Sequence, residues 1–197
     1  MTKVIADISM SLDGFVTGPD PDLDHGLGHG GEPIHDWVME ADDIDNKILK
    51  DSTERSGSVV MGRNLFDIID GPQGWSDEMG YGAGNVGKPS FFVVSHSKPD
   101  VIRLSTLDFT FVNGLAEAIE RARAAAGDKD VFVMGGGDVI RQAVDAGLAD
   151  ELRIHLSPIV LGEGTPLFEG IGRHELVQRE VQVSANATHL VYEVRRS

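Results

Sequence analysis

Three short apolar runs limit what this chain can fold into: Ser58-Val59-Val60-Met61, Phe91-Phe92-Val93-Val94 and Val131-Phe132-Val133-Met134. Each is too brief for a helix and apolar on both faces. Such a strand has to be covered on both sides, which is the signature of a largely parallel sheet layered between helices. Val4–Ile8 reads as an opening strand ended by the turn signal Asp13-Gly14, and Phe109–Val112 as a further strand. Leu115–Ala126, capped by Asn113 and closed by Gly127, is a helix, as is Asp138–Ala146 with Gly147 just beyond its end. From Glu151 the pattern changes to alternation. Leu152, Ile154 and Leu156 face one way, and Arg153 and His155 the other. Leu176–Val183 and Thr188–Val194 alternate similarly around Ser184-Ala185-Asn186-Ala187, a terminal hairpin. The fold class is α/β, with a mixed, mostly parallel sheet and an antiparallel C-terminal hairpin. The 197 residues, without repeat or low-complexity linker, fit one domain spanning 1–197.

The stretch Ile34–Lys50 reads as one helix. Trp37, Ala41, Ile44 and Ile48 share a stripe, with Asp36, Glu40, Asp43, Lys47 and Lys50 opposite. Asp45 does not fit: it projects inside the apolar arc. Trp37 on the same face reads as core rather than as a platform for a substrate.

Two strand ends run through glycine into a helix. Val133-Met134-Gly135-Gly136-Gly137-Asp138-Val139-Ile140 is the stronger. Glycines there let backbone approach a phosphate without Cβ clashes, and a helix N-terminus offers free N–H donors. Ile140 stands where the last glycine of the dinucleotide fingerprint belongs, and no Gly-Lys-Ser/Thr follows, so neither common phosphate motif applies. Met61-Gly62-Arg63-Asn64 is the second, with a guanidinium suited to bidentate phosphate pairing. Ser95-His96-Ser97 closes the Phe91–Val94 strand on the same edge. Ligands of α/β sheets bind outside the carboxyl ends of strands.

Composition excludes several partners. The net charge of −15, from 32 acidic against 17 basic residues, argues against nucleic acid, which needs clustered Lys and Arg, and against an anionic membrane surface. There is no cysteine, hence no disulfide, thiolate metal site or cysteine nucleophile. No apolar run reaches the ~18 residues of a transmembrane helix, and the N-terminus does not read as a signal peptide. An acidic, soluble, cytoplasmic protein with a small-molecule substrate is expected.

The series Ile8-Ser9-Met10-Ser11-Leu12-Asp13-Gly14-Phe15, Val59-Val60-Met61-Gly62-Arg63, Val94-Ser95-His96 and Val133-Met134-Gly135-Gly136-Gly137 resembles the dihydrofolate-reductase-like superfamily. It is most similar to the reductase domain of bifunctional riboflavin biosynthesis proteins. Gly147–Gly164 is similar to that branch's late strand and loop. The resemblance implies a three-layer α/β/α domain, commonly a homodimer, that binds NADPH and passes its hydride to a small pyrimidine or pterin. Carried over by motif, Gly62, Arg63 and Asn64 would hold the adenosine phosphates, and Ser95 and His96 would flank the 2′-phosphate and adenine. Met134, Gly135, Gly136, Gly137, Asp138 and Val139 would line the pyrophosphate, and Ala6 or Ile5 would sit near the nicotinamide. Reduction of a C=N or C=O bond also needs a proton source, and dihydrofolate reductases carry a carboxylate on the first helix. Asp45 is the candidate here. The riboflavin-type Arg and His signature ahead of the second strand is replaced by Asp42-Asp43-Ile44-Asp45-Asn46-Lys47 and Ser52-Thr53-Glu54-Arg55. An acidic helix is a poor host for a phosphorylated substrate.

Other signals carry less. Asp20-Pro21-Asp22-Leu23-Asp24 imitates a calcium loop but lacks its glycine and final glutamate, and His25, His29 and His35 have no rigid metal-ligand spacing. No metal is expected. Asn186-Ala187-Thr188 matches a glycosylation acceptor but reads as a hairpin turn. The alternatives to a reductase are a nucleotide-binding sensor that keeps the cofactor cradle without catalysis, and a phosphate-binding transferase.

Overall fold

The computed structural model describes residues 2–76, 79–81 and 88–195. Among these, eight strands form one sheet. In chain order they are β1 (Val4–Ser11), β3 (Ser56–Gly62), β4 (Ser90–Val94), β5 (Phe109–Val112), β6 (Asp130–Val133), β7 (Glu151–Ser157), β9 (Leu176–Val183) and β10 (Thr188–Val194). Two short strands, β2 (Phe15–Thr17) and β8 (Thr165–Pro166), pair separately. The spatial order is β5-β4-β3-β6-β1-β7-β10-β9. Every pairing from β5 to β7 is parallel, and β10 and β9 extend the sheet in antiparallel fashion. The mixed sheet and closing hairpin expected from the sequence are both present.

Helices α4 (Leu115–Ala126) and α5 (Gly137–Asp145) cover one face, where Val4, Ala6, Val60, Val131, Val133, Leu152 and Ile154 meet Ala118, Ile119, Ala122, Ile140 and Ala143. Helix α3 (Arg63–Asp70) covers part of the other, where Val59, Met61, Phe91 and Val93 meet Phe66 and Ile69. The double-sided apolar strands are thus buried twice, as a parallel sheet requires.

Two local expectations need correction. The single helix expected over Ile34–Lys50 is broken into a 3₁₀ turn (Glu32–His35), one turn of α1 (Asp36–Met39) and α2 (Asp43–Arg55). The cause is a capping box: the Asp42 side chain accepts from Ile44 and Asp45 N–H, and the Asp45 side chain accepts from Asp42 N–H. These bonds start a new helix at Asp43. The residue N-capping α4 is Gly114, with φ of 120°, and no side chain caps it, so Asn113 is not the cap. The alternation along β7 separates two covered faces: Glu151, Arg153 and His155, opposite Leu152 and Ile154, are all buried. The stretch Gly71–Lys88, rich in glycine and polar residues and so read from its sequence as a long loop, lies partly outside the described residues.

The motif Ser11–Phe15 folds into a clamp. Asp13 accepts from Ser11 Oγ–H and from the backbone N–H of Leu161 and Gly162, while Leu12 N–H donates to Ile159. These bonds hold its carboxyl at about 2, the Ser11 hydroxyl contributing most. The end of β1 and the loop after β7 are therefore tied together, which accounts for two of the family-like segments without assigning them a ligand.

Candidate functional site

Parallel strands β4, β3, β6 and β1 bring their carboxyl ends to one edge of the sheet. Two glycine turns meet there. Gly62 N–H donates to Gly135 C=O at 3.1 Å, and Met134 N–H to Val60 C=O at 3.0 Å, so the ends of β3 and β6 are joined directly. Helices α3 and α5 start at Gly62 and Gly136, and neither start has a side-chain cap. In α5 the Val139 N–H turns back to Gly136 C=O at 3.0 Å; the first-turn N–H groups ahead of it are left for water or an anion.

The predicted glycines divide by role. A Cβ on Gly62 would lie 2.9 Å from Val139 Cγ2, and one on Gly137 would lie 2.9 Å from Val16 Cγ2. These two are glycine because core side chains press against them. Gly135 has φ of +107°, and a Cβ on exposed Gly136 would meet nothing within 4 Å. The Gly135–Gly136 peptide is cis. Gly135 is buried, with Leu65 Cδ2 3.6 Å from where its Cβ would lie, so of the three glycines Gly136 alone opens outward and the cradle for a ligand is narrower than the motif suggests.

Arg63, on the first turn of α3, reaches across to the end of β4. Its Nε donates to Asp67 at 2.8 Å, and its Nη1 to Ser95 Oγ at 3.3 Å and Ser97 C=O at 3.1 Å. Asn64 and His96 are exposed beside this cluster. Asp138 is exposed and paired with Arg141, which also donates to Pro166 C=O. That pairing offsets a carboxylate otherwise unfavourable next to a phosphate. Val139 is core. Met134 is half-buried against the Phe66 cluster. Ala6 and Ile5 are fully buried, opposite Val133 and Phe132. The first β1 side chain past them with any exposure is Asp7.

Asp7 belongs to a polar row that the sequence reading missed, on the sheet face under α2. Asp45 is fully buried, in line with its place inside the apolar arc, yet it points at a histidine: Asp45 Oδ1 and His189 Nε2 are 2.8 Å apart. His189 Nδ1 lies 2.7 Å from His155 Nδ1, and His155 Nε2 lies 3.0 Å from Asp7 Oδ1. The ring of Trp37, itself buried, stacks on His155 at 4.0 Å and donates its indole N–H to Ser9 Oγ. Trp37 is core, as its position suggested, but its partner is an imidazole. Next to the row, Arg153 pairs with Glu151 at 2.7 Å, donates to Ser52 Oγ and lies over the Phe132 ring. The Tyr81 hydroxyl is buried nearby and has no hydrogen-bond partner among the described residues.

Elsewhere, Asp22 accepts from Asp24 and His25 N–H, so it closes a local turn. Among the described residues no group of three or more His, Cys, Asp or Glu is placed to hold a metal, and no helix is long and apolar enough to cross a membrane.

Comparison with known proteins agrees with this architecture. The chain is 25% identical over 172 residues to the uncharacterized protein YyaP of Bacillus subtilis (strain 168), covering 84% of this chain and 80% of that one. A putative riboflavin biosynthesis protein from Shewanella sp. PV-4 superposes with a TM-score of 0.69 at 24% identity, covering 99% of this chain and all of the other. A pyrimidine reductase-like protein from Corynebacterium diphtheriae gives 0.67 at 18% identity, over 100% and 93% of the two chains. The model of the RibD C-terminal domain matches residues 2–191. The chain belongs to the RibD C-terminal domain family and has its dihydrofolate-reductase-like fold.

Proposed function

We propose that this chain is an NADPH-dependent reductase acting on a small pyrimidine- or pterin-type heterocycle. The observation that carries the reading is the pair of uncapped glycine turns bonded to each other at the sheet edge, with the Arg63 guanidinium alongside. A pyrophosphate suits the exposed Gly136 and the first-turn N–H groups of α5, because no Cβ blocks its approach. Arg63, Ser95 and the exposed Asn64 and His96 suit a ribose phosphate at the neighbouring turn. Bound NADPH would supply a hydride. The protein's own residues bind the phosphates, exclude water beneath Trp37 and hold a proton in the row that ends at Asp7. Membership of a reductase domain family, and the name of the Corynebacterium diphtheriae relative, support the substrate class. The acidic start of α2 favours an uncharged heterocycle over a phosphorylated one, and a homodimer is the assembly we propose.

Thermal shift with NADPH, NADH and FMN side by side, followed by NADPH oxidation against a pterin and pyrimidine panel, tests this. We expect NADPH to raise the melting temperature most, and at least one panel member to be reduced. A shift with NADPH but no oxidation would favour the sensor reading. No shift with any nucleotide would remove both.

A further inference from the structure

The row Asp45–His189–His155–Asp7 has three contacts between hydrogen-bonding atoms. Each contact needs one proton between its two atoms. Two ionised carboxylates and two neutral imidazoles bring only two. With all three contacts made, the row holds a third.

The surroundings say where that proton rests. Burial alone would push the Asp7 carboxyl up, but the charge and hydrogen bond of His155, helped by Arg153 and His189, hold it below the usual carboxylate range. His189 is held below the usual imidazole range by burial and by the charge of His155, against the pull of Asp45 and Asp42. The geometry points to His155, the ring placed between Asp7 and His189, as the group that carries the extra proton. Its Nε2–H donates to Asp7 Oδ1 and its Nδ1–H to His189 Nδ1, and His189 Nε2–H donates to Asp45 Oδ1. The other groups facing the row are Arg153 and Glu151 from β7, Asp42 at the start of α2, His35 from the 3₁₀ turn, Tyr81 ahead of β4 and the Ser184 hydroxyl.

Access is one-sided. The side chains of Asp45, His189 and His155 are 0%, 3% and 4% exposed, whereas that of Asp7 is 19% exposed. Trp37 stacks on His155 and seals that side. Of the four groups in the row, Asp7 is the one with access to solvent, and the proton enters and leaves there.

We propose that this row stores one proton and discharges it through Asp7 onto the substrate atom that becomes basic during reduction. The proposal rests on the reductase reading above. As the substrate carbon accepts a hydride with its electron pair, the π pair of the C=N or C=O bond moves to nitrogen or oxygen. That atom takes a proton from the Asp7 carboxyl, which has received the Nε2 proton of His155. His155 is left neutral and the row holds two protons. Once product leaves, a solvent proton enters through Asp7 and restores the third. Asp7 is the catalytic residue; His155, His189 and Asp45 are positioning residues that set its proton supply.

Two measurements on the full chain test this. In ¹⁵N NMR of the histidine side chains at pH 7, assigned with His155→Gln and His189→Gln, we expect one ring protonated on both nitrogens and its neighbour on one. Two singly protonated rings would overturn the stored proton. In the activity assay Asp7→Asn should lower kcat at least a hundredfold, the scale of a lost general acid, with the NADPH-induced thermal shift retained. A folded Asp7→Asn with unchanged kcat would overturn delivery at Asp7. Should that variant not fold, Asp45→Asn decides: the pH profile of kcat should move with KM within twofold, and an unmoved profile counts against the row. Absence of NADPH oxidation by the wild type removes the reductase reading and delivery together. The proton count by NMR is read independently of it.

Discussion

Val139 fills the space that a side chain on Gly62 would need: a Cβ there would lie 2.9 Å from Val139 Cγ2. The glycine that opens the motif at the end of β3 is therefore required by the packing of α5 against the sheet. Gly62→Ala should cost about 1–3 kcal/mol by overpacking, since a short branched side chain has no room to swing away. Removing the methyls opposite, in Gly62→Ala/Val139→Ala, should recover part of that loss. Urea midpoints of the singles and the double measure it, and strictly additive losses would show that the two positions are not in conflict.

Gly136 should behave differently. Its Cβ direction is open and its φ of −62° is ordinary, so the folded state has room for Gly136→Ala. The added methyl instead occupies the approach to the first turn of α5. We expect NADPH affinity to fall at least tenfold, with a smaller loss of melting temperature than Gly62→Ala gives. Gly135→Ala, at φ of +107°, should lose about 1–3 kcal/mol of stability from backbone strain alone. The three variants together separate glycines kept for packing, for backbone conformation and for a ligand.

Asp13 ties the end of β1 to the loop after β7 through Leu161 and Gly162. Asn in its place would turn an amide N–H₂ toward one of these donors. Hydrogen exchange at the Leu161 and Gly162 amides should accelerate in Asp13→Asn, while amides of β3 and β4 stay protected. Because folding holds this carboxyl down to about 2 from its ordinary 3.8, its stabilisation is complete above that ordinary value and is lost as pH falls toward 2.

A second pH effect sits higher. Burial, with the charge of His155, lowers the His35 imidazole to about 4, from an unfolded value of 6.5. Between these values the unfolded chain binds the proton more readily, so stability is full above 6.5 and drains as pH falls toward 4. His189 shifts in the same direction. The melting temperature should drop across this window, and His35→Leu should flatten the slope. An equally steep slope in that variant would place the effect elsewhere.

Much of the layered fold was legible because both-face-apolar strands such as Val131–Val133 admit few alternatives. The polar row was not, although one signal for it was present. A strand next to β1 in a covered parallel sheet cannot show water the side bearing Arg153 and His155. Asp7, in an otherwise apolar opening strand, therefore had to have partners there. Periodicity placed Asp45 inside the apolar arc correctly. It could not reveal that the residue facing it, His189, comes from the far end of the chain. The break at Asp42 was missed because helical periodicity runs straight through Glu40–Asp42, and only the reciprocal Asp42–Asp45 bonds interrupt it.

Arg63 gives the sharpest test of the cofactor reading, since few cations serve a chain of net charge −15. Its guanidinium is already oriented by Asp67, Ser95 and Ser97, so little side-chain order remains to be lost on binding. A hydrogen bond to a charged group contributes about 1.5–3 kcal/mol, or roughly ten- to a hundredfold in affinity. Arg63→Ala should weaken NADPH by that factor and NADH by no more than about threefold, because only NADPH carries the 2′-phosphate. Arg63→Lys keeps the charge but loses the fork, and should fall between the two. Calorimetric titration of both nucleotides against the three proteins measures this. Equal losses for NADPH and NADH would move the 2′-phosphate away from the end of β4.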